Sequence, residues 1–270
     1  MGQHSAIEWT DHTFNPWWGC KKVSPGCEHC YAETWALRYG FDLWGNNQRR
    51  FFSKAHWNEP LIWNRKAIEQ KTRARVFCAS MSDVFEDNPI LFEERRRLWS
   101  LISKTDNLDW LLLTKRPENM KKFVPYKGKW PINVWAMATT ENQELADYRI
   151  PFLLNIDSEI KGLSIEPMLG PVNINKWIKE IQWVIVGGES GPKSRPMNPD
   201  WIRSIRDTCL ENGVAFFFKQ WGNWVPDNEE ILEIKTKSGI KEDLVMHRSN
   251  KKEAGSVIDG KHWKQIPNYS

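Results

Sequence analysis

The sequence predicts an α/β fold in which parallel strands form a full or partial βα barrel of the TIM type, with a small C-terminal appendage. Short apolar runs alternate along the chain with polar turns and with helical segments of roughly ten to fifteen residues, as in stacked βα units. Each run is almost continuously hydrophobic, which indicates that both faces of the sheet are covered and that its strands are parallel. A doubly wound sheet is the alternative arrangement for such a pattern.

Seven strands are predicted from these runs. The first lies near residues 7–10, and the other six are residues 76–79, 110–113, 134–137, 162–165, 183–186 and 214–218. Helix signals stand between them, as glycines at helix ends and as prolines in first turns. They predict a helix over residues 31–39 that ends at Gly40, one that begins at Pro60, one after Asn88-Pro89, and one after Asn198-Pro199 that ends at Gly213.

Length and composition bound the domain organisation. A chain of 270 residues with 40% hydrophobic residues and 17 tryptophans has enough apolar material for one large domain or two small ones. Beyond Pro226 the composition changes to a charged segment over residues 227–241. We therefore predict a barrel over residues 1–225 and an extension of two or three short strands over residues 226–270. The formal charge of +4 is too small to require a nucleic-acid partner.

The cysteines indicate thiol chemistry in a reducing compartment. The chain has 5 of them, an odd number, and three lie within eleven residues. This distribution argues against a secreted disulfide framework. The sequence has no apolar run of the ~18 residues that a membrane span needs, and no apolar signal core at its start. We therefore expect a cytoplasmic protein that does not enter a membrane.

Three thiols lie on one loop, which reads CKKVSPGCEHC from Cys20 to Cys30. Cys27 and Cys30 are separated by two residues on a Pro-Gly turn, and Cys20 lies one short loop upstream, so the sulfurs can converge on a metal. A structural zinc ion completed by His12 or His29 is one reading of this loop. An iron-sulfur cluster is the other, and three thiolates would leave one iron of a four-iron cluster open to a substrate or cofactor.

Polar residues follow each of the six later strands. In a βα barrel, catalytic groups gather at the carboxyl ends of the strands, so we expect these side chains to line one rim together with the cysteine loop. The segments are residues 80–83, 114–117, 139–142, 166–168, 187–190 and 219–222. Lys115, Arg116 and Lys219 would make this rim locally basic, which suits a phosphate or carboxylate group on a substrate.

Several motifs resemble those of a known family. A three-cysteine loop after the first strand of a βα barrel is similar to that of the radical S-adenosylmethionine (SAM) superfamily. More narrowly, segments 9–11, 15–20, 80–83, 187–191 and 259–263 resemble a little-characterised phage-associated family with the same cysteine motif. The loop departs from the usual superfamily pattern in having a longer gap between Cys20 and Cys27 and a histidine, His29, at a position that is usually aromatic. The Gly-Gly-Glu segment also follows the sixth strand instead of the second.

The resemblance implies an enzyme with a 4Fe-4S cluster held by Cys20, Cys27 and Cys30, with SAM as its second cofactor. In such families the reduced cluster cleaves the SAM sulfonium, and a 5′-deoxyadenosyl radical abstracts hydrogen from a substrate. An electron donor such as flavodoxin or ferredoxin is implied as a partner. The phage-associated resemblance, the basic rim and the aromatic loops favour a nucleic-acid base or nucleotide as substrate, for modification or repair.

The other site residues are candidates because of their place at the strand ends. Asp83 is expected to receive the methionine ammonium of SAM, and Thr139 and Glu141 its ribose hydroxyls. Cofactor binding is also predicted for Glu166, Gly187, Gly188 and Glu189, and substrate binding for Lys115, Arg116, Lys219 and Trp221.

Other readings of these residues stay open. The two glycines suit a tight strand-to-helix turn as well as a phosphate cradle, and Cys78 and Cys209 have the pattern of core residues. Trp17, Trp18, Trp221 and Trp224 lie in loops where a planar substrate could stack, whereas Trp63, Trp99, Trp177 and Trp201 are expected to pack on strands. The alternative function class is a non-catalytic, zinc-stabilised nucleic-acid-binding protein.

Overall fold

The structure is a computed structural model that describes residues 5–226 and 246–267. The chain divides into two compact units. Unit 1 comprises residues 1–139 and 147–163, and unit 2 comprises residues 140–146 and 164–270. The charged segment that the sequence indicates at residues 227–241 lies outside the described residues.

Seven strands follow one another in the sheet in the same order as in the chain, from β1 to β7. Their bounds are His12–Thr13 (β1), Ala74–Cys78 (β2), Leu108–Thr114 (β3), Val134–Thr139 (β4), Lys161–Ile165 (β5), Trp183–Gly187 (β6) and Ala215–Gln220 (β7). The pairings β1 with β2, β2 with β3, β3 with β4, and β6 with β7 are parallel. The predicted fold class, α/β with a full or partial barrel of parallel strands, is confirmed.

The helices alternate with these strands. They are Tyr31–Arg38 (α1), Lys54–Glu69 (α2), Phe92–Ile102 (α3), Met120–Phe123 (α4), Gln143–Leu154 (α5), Pro199–Glu211 (α6) and Lys251–Ala254 (α7). The predicted caps are present, because the side chain of Asn198 accepts a hydrogen bond from the amide of Asp200 and that of Asn88 accepts one from Ile90. None of the helices in the described ranges is long and apolar enough to cross a membrane.

Two predicted boundaries are wrong. The first strand begins at His12, because residues 7–10 form a turn in which the amide of Thr10 donates to the carbonyl of Ile7. The hydroxyl of Thr10 then bonds the backbone of Arg75 and Phe77, in place of a strand ladder. Helix α2 begins at Lys54, six residues before Pro60, which lies in the helix interior.

Large aromatic side chains fill the core of unit 1. Phe14, on the segment that follows β1, is fully buried and meets the rings of Trp57 and Trp110 edge-on at centroid distances of 5.3 and 5.7 Å. The predicted packing of Trp63 and Trp99 is confirmed, since they are 3% and 7% exposed. The tryptophans of this unit therefore supply contact area between the helices and the sheet.

Two antiparallel pairs of short strands lie in the described C-terminal part of unit 2, where the sequence predicts two or three strands. Strand β8 (Trp224–Pro226) pairs with β9 (Met246–Arg248), and β10 (Val257–Ile258) pairs with β11 (Lys261–His262), both antiparallel. The second hairpin turns at Asp259 and Gly260, whose φ angles of 52° and 69° are those of a type I′ turn. After it, the backbone of residues 263–265 bonds to β7.

Candidate functional site

The cysteine loop of unit 1 is fastened to the segment that follows β2. The side chain of Asn15 accepts a 2.7 Å hydrogen bond from the amide of Met81 and donates to the hydroxyl of Ser80 at 3.1 Å. The amide of Gly19 donates to the carbonyl of Met81, also in this segment, at 3.0 Å. These bonds fix the backbone immediately before Cys20.

Gly19 allows a close approach of two backbone segments. Its φ angle is +104°, and a Cβ atom at this position would lie 2.3 Å from the carbonyl oxygen of Leu43. The left-handed conformation and the short distance both exclude a larger residue. Steric constraints therefore explain why a glycine precedes Cys20.

Cys27 and Cys30 lie at the start of helix α1. Cys27 ends a short 3-10 turn that begins at Pro25, and Cys30 is the residue that precedes the helix. Burial raises the pKa of the Cys30 thiol, and the backbone amides of Glu33 and Ala32 in the first turn oppose this rise. A negative charge on Cys30 would thus be stabilised by the helix N-terminus.

Cys20 contacts a buried guanidinium group. The Nη1 atom of Arg116 lies 3.7 Å from the Sγ atom of Cys20 and donates to the Oδ2 atom of Asp83 at 2.8 Å. Its Nη2 atom donates to the carbonyl oxygen of Lys21. Burial raises the pKa of the Cys20 thiol to about 12, whereas Arg116 acts to lower it. Cys20 therefore shares its environment with a fixed positive charge.

Asp83 is fully engaged with protein donors. Its carboxylate accepts hydrogen bonds from the amides of Phe85 and Lys115, from the hydroxyl of Thr114 at 2.7 Å, and from Arg116. The residue is only 5% exposed. This arrangement favours a structural role for Asp83 beneath the cysteine loop, whereas the sequence predicts that it receives the ammonium of SAM.

A second buried ion pair lies near the loop. The guanidinium of Arg49 bonds the carboxylate of Glu86 at 2.6 Å. It also donates to the carbonyl oxygens of Leu43, Gly45 and Asn47. The amide of Gly45 in turn donates to the carbonyl of Cys20 at 3.0 Å, so Arg49 holds the strip of backbone that binds the first cysteine.

The donor set of the loop fits an iron-sulfur cluster. Cys20, Cys27 and Cys30 are all free and half-buried, and cationic or amide groups lie beside the first and the last of them. Within residues 5–226 and 246–267, no group of three His, Cys, Asp or Glu side chains is arranged to hold a single metal ion. A cluster has a different requirement, because each thiolate binds a different iron and the sulfurs therefore stand further apart.

The strand ends of unit 2 contain a partly buried ion pair. The Nζ atom of Lys219 on β7 donates to the Oε1 atom of Glu166, which follows β5, at 2.6 Å. Gly187 at the end of β6 makes room for this carboxylate, since a Cβ atom there would lie 3.2 Å from it. The two side chains keep 18% and 19% exposure, so the pair remains accessible to a solute.

The Gly-Gly-Glu segment of unit 2 has packing roles. A Cβ atom on Gly188 would lie 1.9 Å from the carbonyl oxygen of Trp221, which leaves no space for a side chain. Glu189 is 5% exposed and accepts from the guanidinium of Arg195 at 2.6 Å and 2.9 Å. Of the two readings of Gly188, close backbone packing is the one that these contacts favour.

The other predicted residues are mostly buried. Thr139 is 3% exposed and Glu141 is fully buried, each at its place after β4. Trp17 and Trp221 are 0% and 4% exposed, and the indole of Trp221 donates to the carbonyl of Val257, which favours packing over the predicted stacking on a substrate. Cys78 and Cys209 are buried, as the sequence predicts, and burial raises the pKa of both thiols.

Sequence reasoning missed Arg49, Glu86 and the hydroxyl of Thr114. Arg49 and Glu86 are 37 residues apart and neither belongs to a recognisable motif. Thr114 ends β3 and lies in one of the polar segments predicted at the strand ends. Only the last of these had a signal in the sequence, namely a polar residue at the carboxyl end of an apolar strand.

Comparisons with known proteins identify relatives of this chain. The family described as "Protein of unknown function (DUF5131)" matches residues 4–267. No curated protein matches the sequence. Among solved structures, a cysteine-to-serine mutant of spore photoproduct lyase is similar with a TM-score of 0.51 and 10% identity, over 81% of this chain and 79% of that one.

Two further structures of spore photoproduct lyase match less well. A tyrosine-to-phenylalanine mutant has a TM-score of 0.48 and 9% identity, over 82% of this chain and 81% of that one. A double mutant with bound AdoMet and dinucleoside spore photoproduct has a TM-score of 0.44 and 12% identity, over 75% of this chain. The chain spans only 62% of the length of that double mutant. At these identities the likeness concerns the fold alone.

Proposed function

The chain belongs to the family described as a protein of unknown function, DUF5131, and we propose that it is a radical SAM-type enzyme whose cluster is held by Cys20, Cys27 and Cys30. One observation carries the proposal. Three free thiols share a loop that follows the first strand of a βα fold, and the first of them contacts the buried guanidinium of Arg116 at 3.7 Å. The fold shared with spore photoproduct lyase supports it.

The number of thiols in the loop suits a 4Fe-4S cluster. Three cysteine ligands would leave one iron of a 4Fe-4S cluster without a protein ligand, and this iron would be open to SAM. When bound and reduced, the cluster would supply the electron that cleaves the sulfonium of SAM. The chain's own contribution is to hold the three thiolates and to stabilise their charge.

Several residues of unit 1 perform that task. The amides at the start of α1 stabilise negative charge on Cys30, and Arg116 does so on Cys20. Asp83 orients Arg116 through its carboxylate. These groups are fixed before any ligand arrives, so little reorganisation accompanies ligation.

The assignments of cofactor and substrate residues remain predictions. Glu166 and Lys219 form a partly exposed polar pair at the strand ends of unit 2, and they are our candidates for contact with SAM or substrate. Lys115 is half-buried, and its ammonium acts to lower the pKa of Cys30, so it belongs with the cysteine loop. Thr139, Glu141, Gly187, Gly188 and Glu189 are retained as cofactor candidates on sequence grounds.

We further propose a nucleic-acid base or nucleotide as substrate, for modification or repair. The name of the structurally similar enzyme indicates action on spore photoproduct, and this supports the substrate class. An electron donor such as flavodoxin or ferredoxin would reduce the cluster in a reducing cytoplasm. The second candidate function is a non-catalytic nucleic-acid-binding protein in which the same thiols bind zinc, with His12 or His29 as the fourth ligand. The described residues favour it less, because they show no group of three ligands arranged for a single metal ion.

Anaerobic reconstitution tests the proposal. We expect the full chain to become brown and to bind about four irons and four sulfides, and dithionite to bleach its visible absorbance. With SAM and dithionite as the electron source, methionine and 5′-deoxyadenosine should form. A colourless protein that retains one zinc ion per chain would support the binding protein and refute the enzyme.

A pair of cysteine variants identifies the ligands. Cys27→Ala should lose cluster binding and 5′-deoxyadenosine formation. Cys209→Ala is the matched control, because that thiol is buried in α6 of unit 2 and lies outside the loop. Equal iron content and product formation in Cys27→Ala and the control would mean that the ligands are assigned wrongly.

A further inference from the structure

The geometry points to Arg116 as a positioning residue that raises the reduction potential of the cluster held by Cys20. This inference rests on the proposed function and deepens it, because it concerns how the same site is tuned. The sequence predicts Arg116 as a substrate-binding residue at a basic rim. Its contacts instead direct its charge toward the cysteine loop.

Arg116 is placed by local backbone bonds. It lies two residues after the end of β3, and its amide donates to the hydroxyl of Thr114 at 2.8 Å. The same hydroxyl donates to the carboxylate of Asp83 at 2.7 Å. The backbone of Arg116 and the carboxylate that receives its guanidinium are therefore fixed by one side chain.

The guanidinium connects three groups. Its Nη1 atom donates to Asp83 at 2.8 Å and lies 3.7 Å from the sulfur of Cys20, while its Nη2 atom bonds the carbonyl of Lys21. The planar fork of arginine permits this, whereas the ammonium of lysine has no second nitrogen. The bonds to Asp83 and to the carbonyl of Lys21 thus fix the guanidinium beside the sulfur of Cys20.

Burial strengthens the electrostatic interaction between Arg116 and the sulfur of Cys20. The side chains of Arg116 and Asp83 are each 7% exposed, so water screens their charges little. A positive N–H donor at a ligating sulfur withdraws charge from the cluster and favours its reduced form, whereas a nearby carboxylate opposes this. Arg116 and Asp83 should therefore shift the potential in opposite directions.

The test is a redox titration of the reconstituted full chain, followed by visible bleaching and by electron paramagnetic resonance. Arg116→Gln should lower the reduction potential relative to the wild type, and Asp83→Asn should raise it. Arg116→Lys retains the charge and should restore part of the loss. A merely structural disturbance would move both variants in the same direction.

Arg95→Gln is the matched control. Arg95 is also a buried arginine of unit 1, at 4% exposure, and it bonds the carbonyls of Val84 and Glu86 without a contact to a thiol. The Arg95→Gln substitution should lower the melting temperature and leave the reduction potential of the cluster close to that of the wild type. A shift in Arg95→Gln equal to that in Arg116→Gln would overturn the inference.

The remaining outcomes also decide the question. If Arg116→Gln binds no iron, Asp83→Asn and Arg116→Lys carry the test, and an unchanged or lowered potential in Asp83→Asn overturns the inference. If Arg116→Gln binds iron fully and its reduction potential is unchanged, the inference about Arg116 is wrong, but the proposed function is not affected. A wild type that binds no cluster refutes the proposed function, and the inference falls with it.

Discussion

The guanidinium of Arg49 and the carboxylate of Glu86 form a 2.6 Å ion pair in which the side chains are only 1% and 5% exposed. The pair connects the segment after β2 with the backbone strip of residues 43–47 that binds Cys20. Removing one partner of a buried pair leaves the other charge uncompensated in the interior. Its integrity should therefore matter both for folding and for the cysteine loop.

Glu86→Gln should destabilise the protein by about 3–5 kcal/mol, because Arg49 would keep a buried charge without its counter-ion. Thermal unfolding followed by circular dichroism measures this as a lower melting temperature. Glu93→Gln is the control, since Glu93 pairs with Arg96 on the surface with side chains 67% and 73% exposed. That variant should change stability by less than about 0.5 kcal/mol. Similar melting temperatures for the two variants would contradict the assigned role of Arg49.

Gly19→Ala should lower the melting temperature and prevent cluster binding. The new methyl group would meet the carbonyl oxygen of Leu43 at 2.3 Å, which forces the cysteine loop away from residues 43–47. Gly128→Ala is a conformationally matched control, because its φ angle of +103° equals that of Gly19 within a degree, and nothing lies within 4 Å of its added Cβ atom. Both variants carry a left-handed backbone strain of roughly 1–3 kcal/mol. The difference between them measures the steric clash, and no difference would show that the approach of Leu43 is not required.

Gly188→Ala tests the packing role of the Gly-Gly-Glu segment. A methyl group there would lie 1.9 Å from the carbonyl oxygen of Trp221, so we expect a loss of stability of at least about 2 kcal/mol, comparable to overpacking of a core. Gly170→Ala, whose Cβ atom would lie 3.7 Å from the side chain of Asn142, should be tolerated. A stable Gly188→Ala protein that has lost only SAM binding would restore the phosphate-cradle reading.

Asp259→Asn should weaken unit 2 in a pH-dependent way. Burial acts to raise the pKa of Asp259, but hydrogen bonds from Arg203 and Arg206 bring the pKa below its usual value. A carboxylate with a lowered folded pKa contributes stability that is complete above its unfolded pKa of about 3.9 and is lost as the pH falls through the folded pKa. The side chain is 35% exposed, so solvent screening limits the effect to about 0.5 kcal/mol.

The measurement for Asp259 is the difference in melting temperature between wild type and Asp259→Asn across pH. It should be constant above about pH 5 and should vanish at strongly acidic pH. Asp259→Ala removes the side chain that tolerates a φ angle of 52° as well, and should destabilise more at every pH. A melting-temperature difference that grows as the pH falls would contradict a lowered pKa of Asp259 in the folded protein.

The strands and the cysteine loop were predictable from the sequence because their signals are local. Runs such as that of β6, Trp183–Gly187, are continuously buried, and hydrophobicity alone marks them. The first strand was misplaced because buried Trp9 adds an apolar residue to a turn, and the hydroxyl of Thr10 replaces a ladder bond there. No local sequence pattern predicts that the Thr10 hydroxyl replaces a ladder bond.

The partners of the polar strand-end residues could not be predicted. The sequence places Asp83 and Arg116 at the ends of β2 and β3 but does not indicate that they bond each other, since 33 residues separate them. Their burial, and hence the change from ligand-binding candidates to supports of the loop, depends on the tertiary packing. The ion pair between Glu189 and Arg195 in unit 2 was likewise not predictable from the sequence.

The C-terminal segment of residues 263–265 covers part of the edge of β7. The amide of Phe218 donates to Trp263, and the amide of Gln265 donates to Phe216. The carbonyl of Phe218 also accepts from the ammonium of Lys264. An unpaired β7 would offer a row of free backbone groups to any passing strand, which is the first step of ordered aggregation. We therefore expect a chain that lacks residues 263–265 to associate more readily through β7.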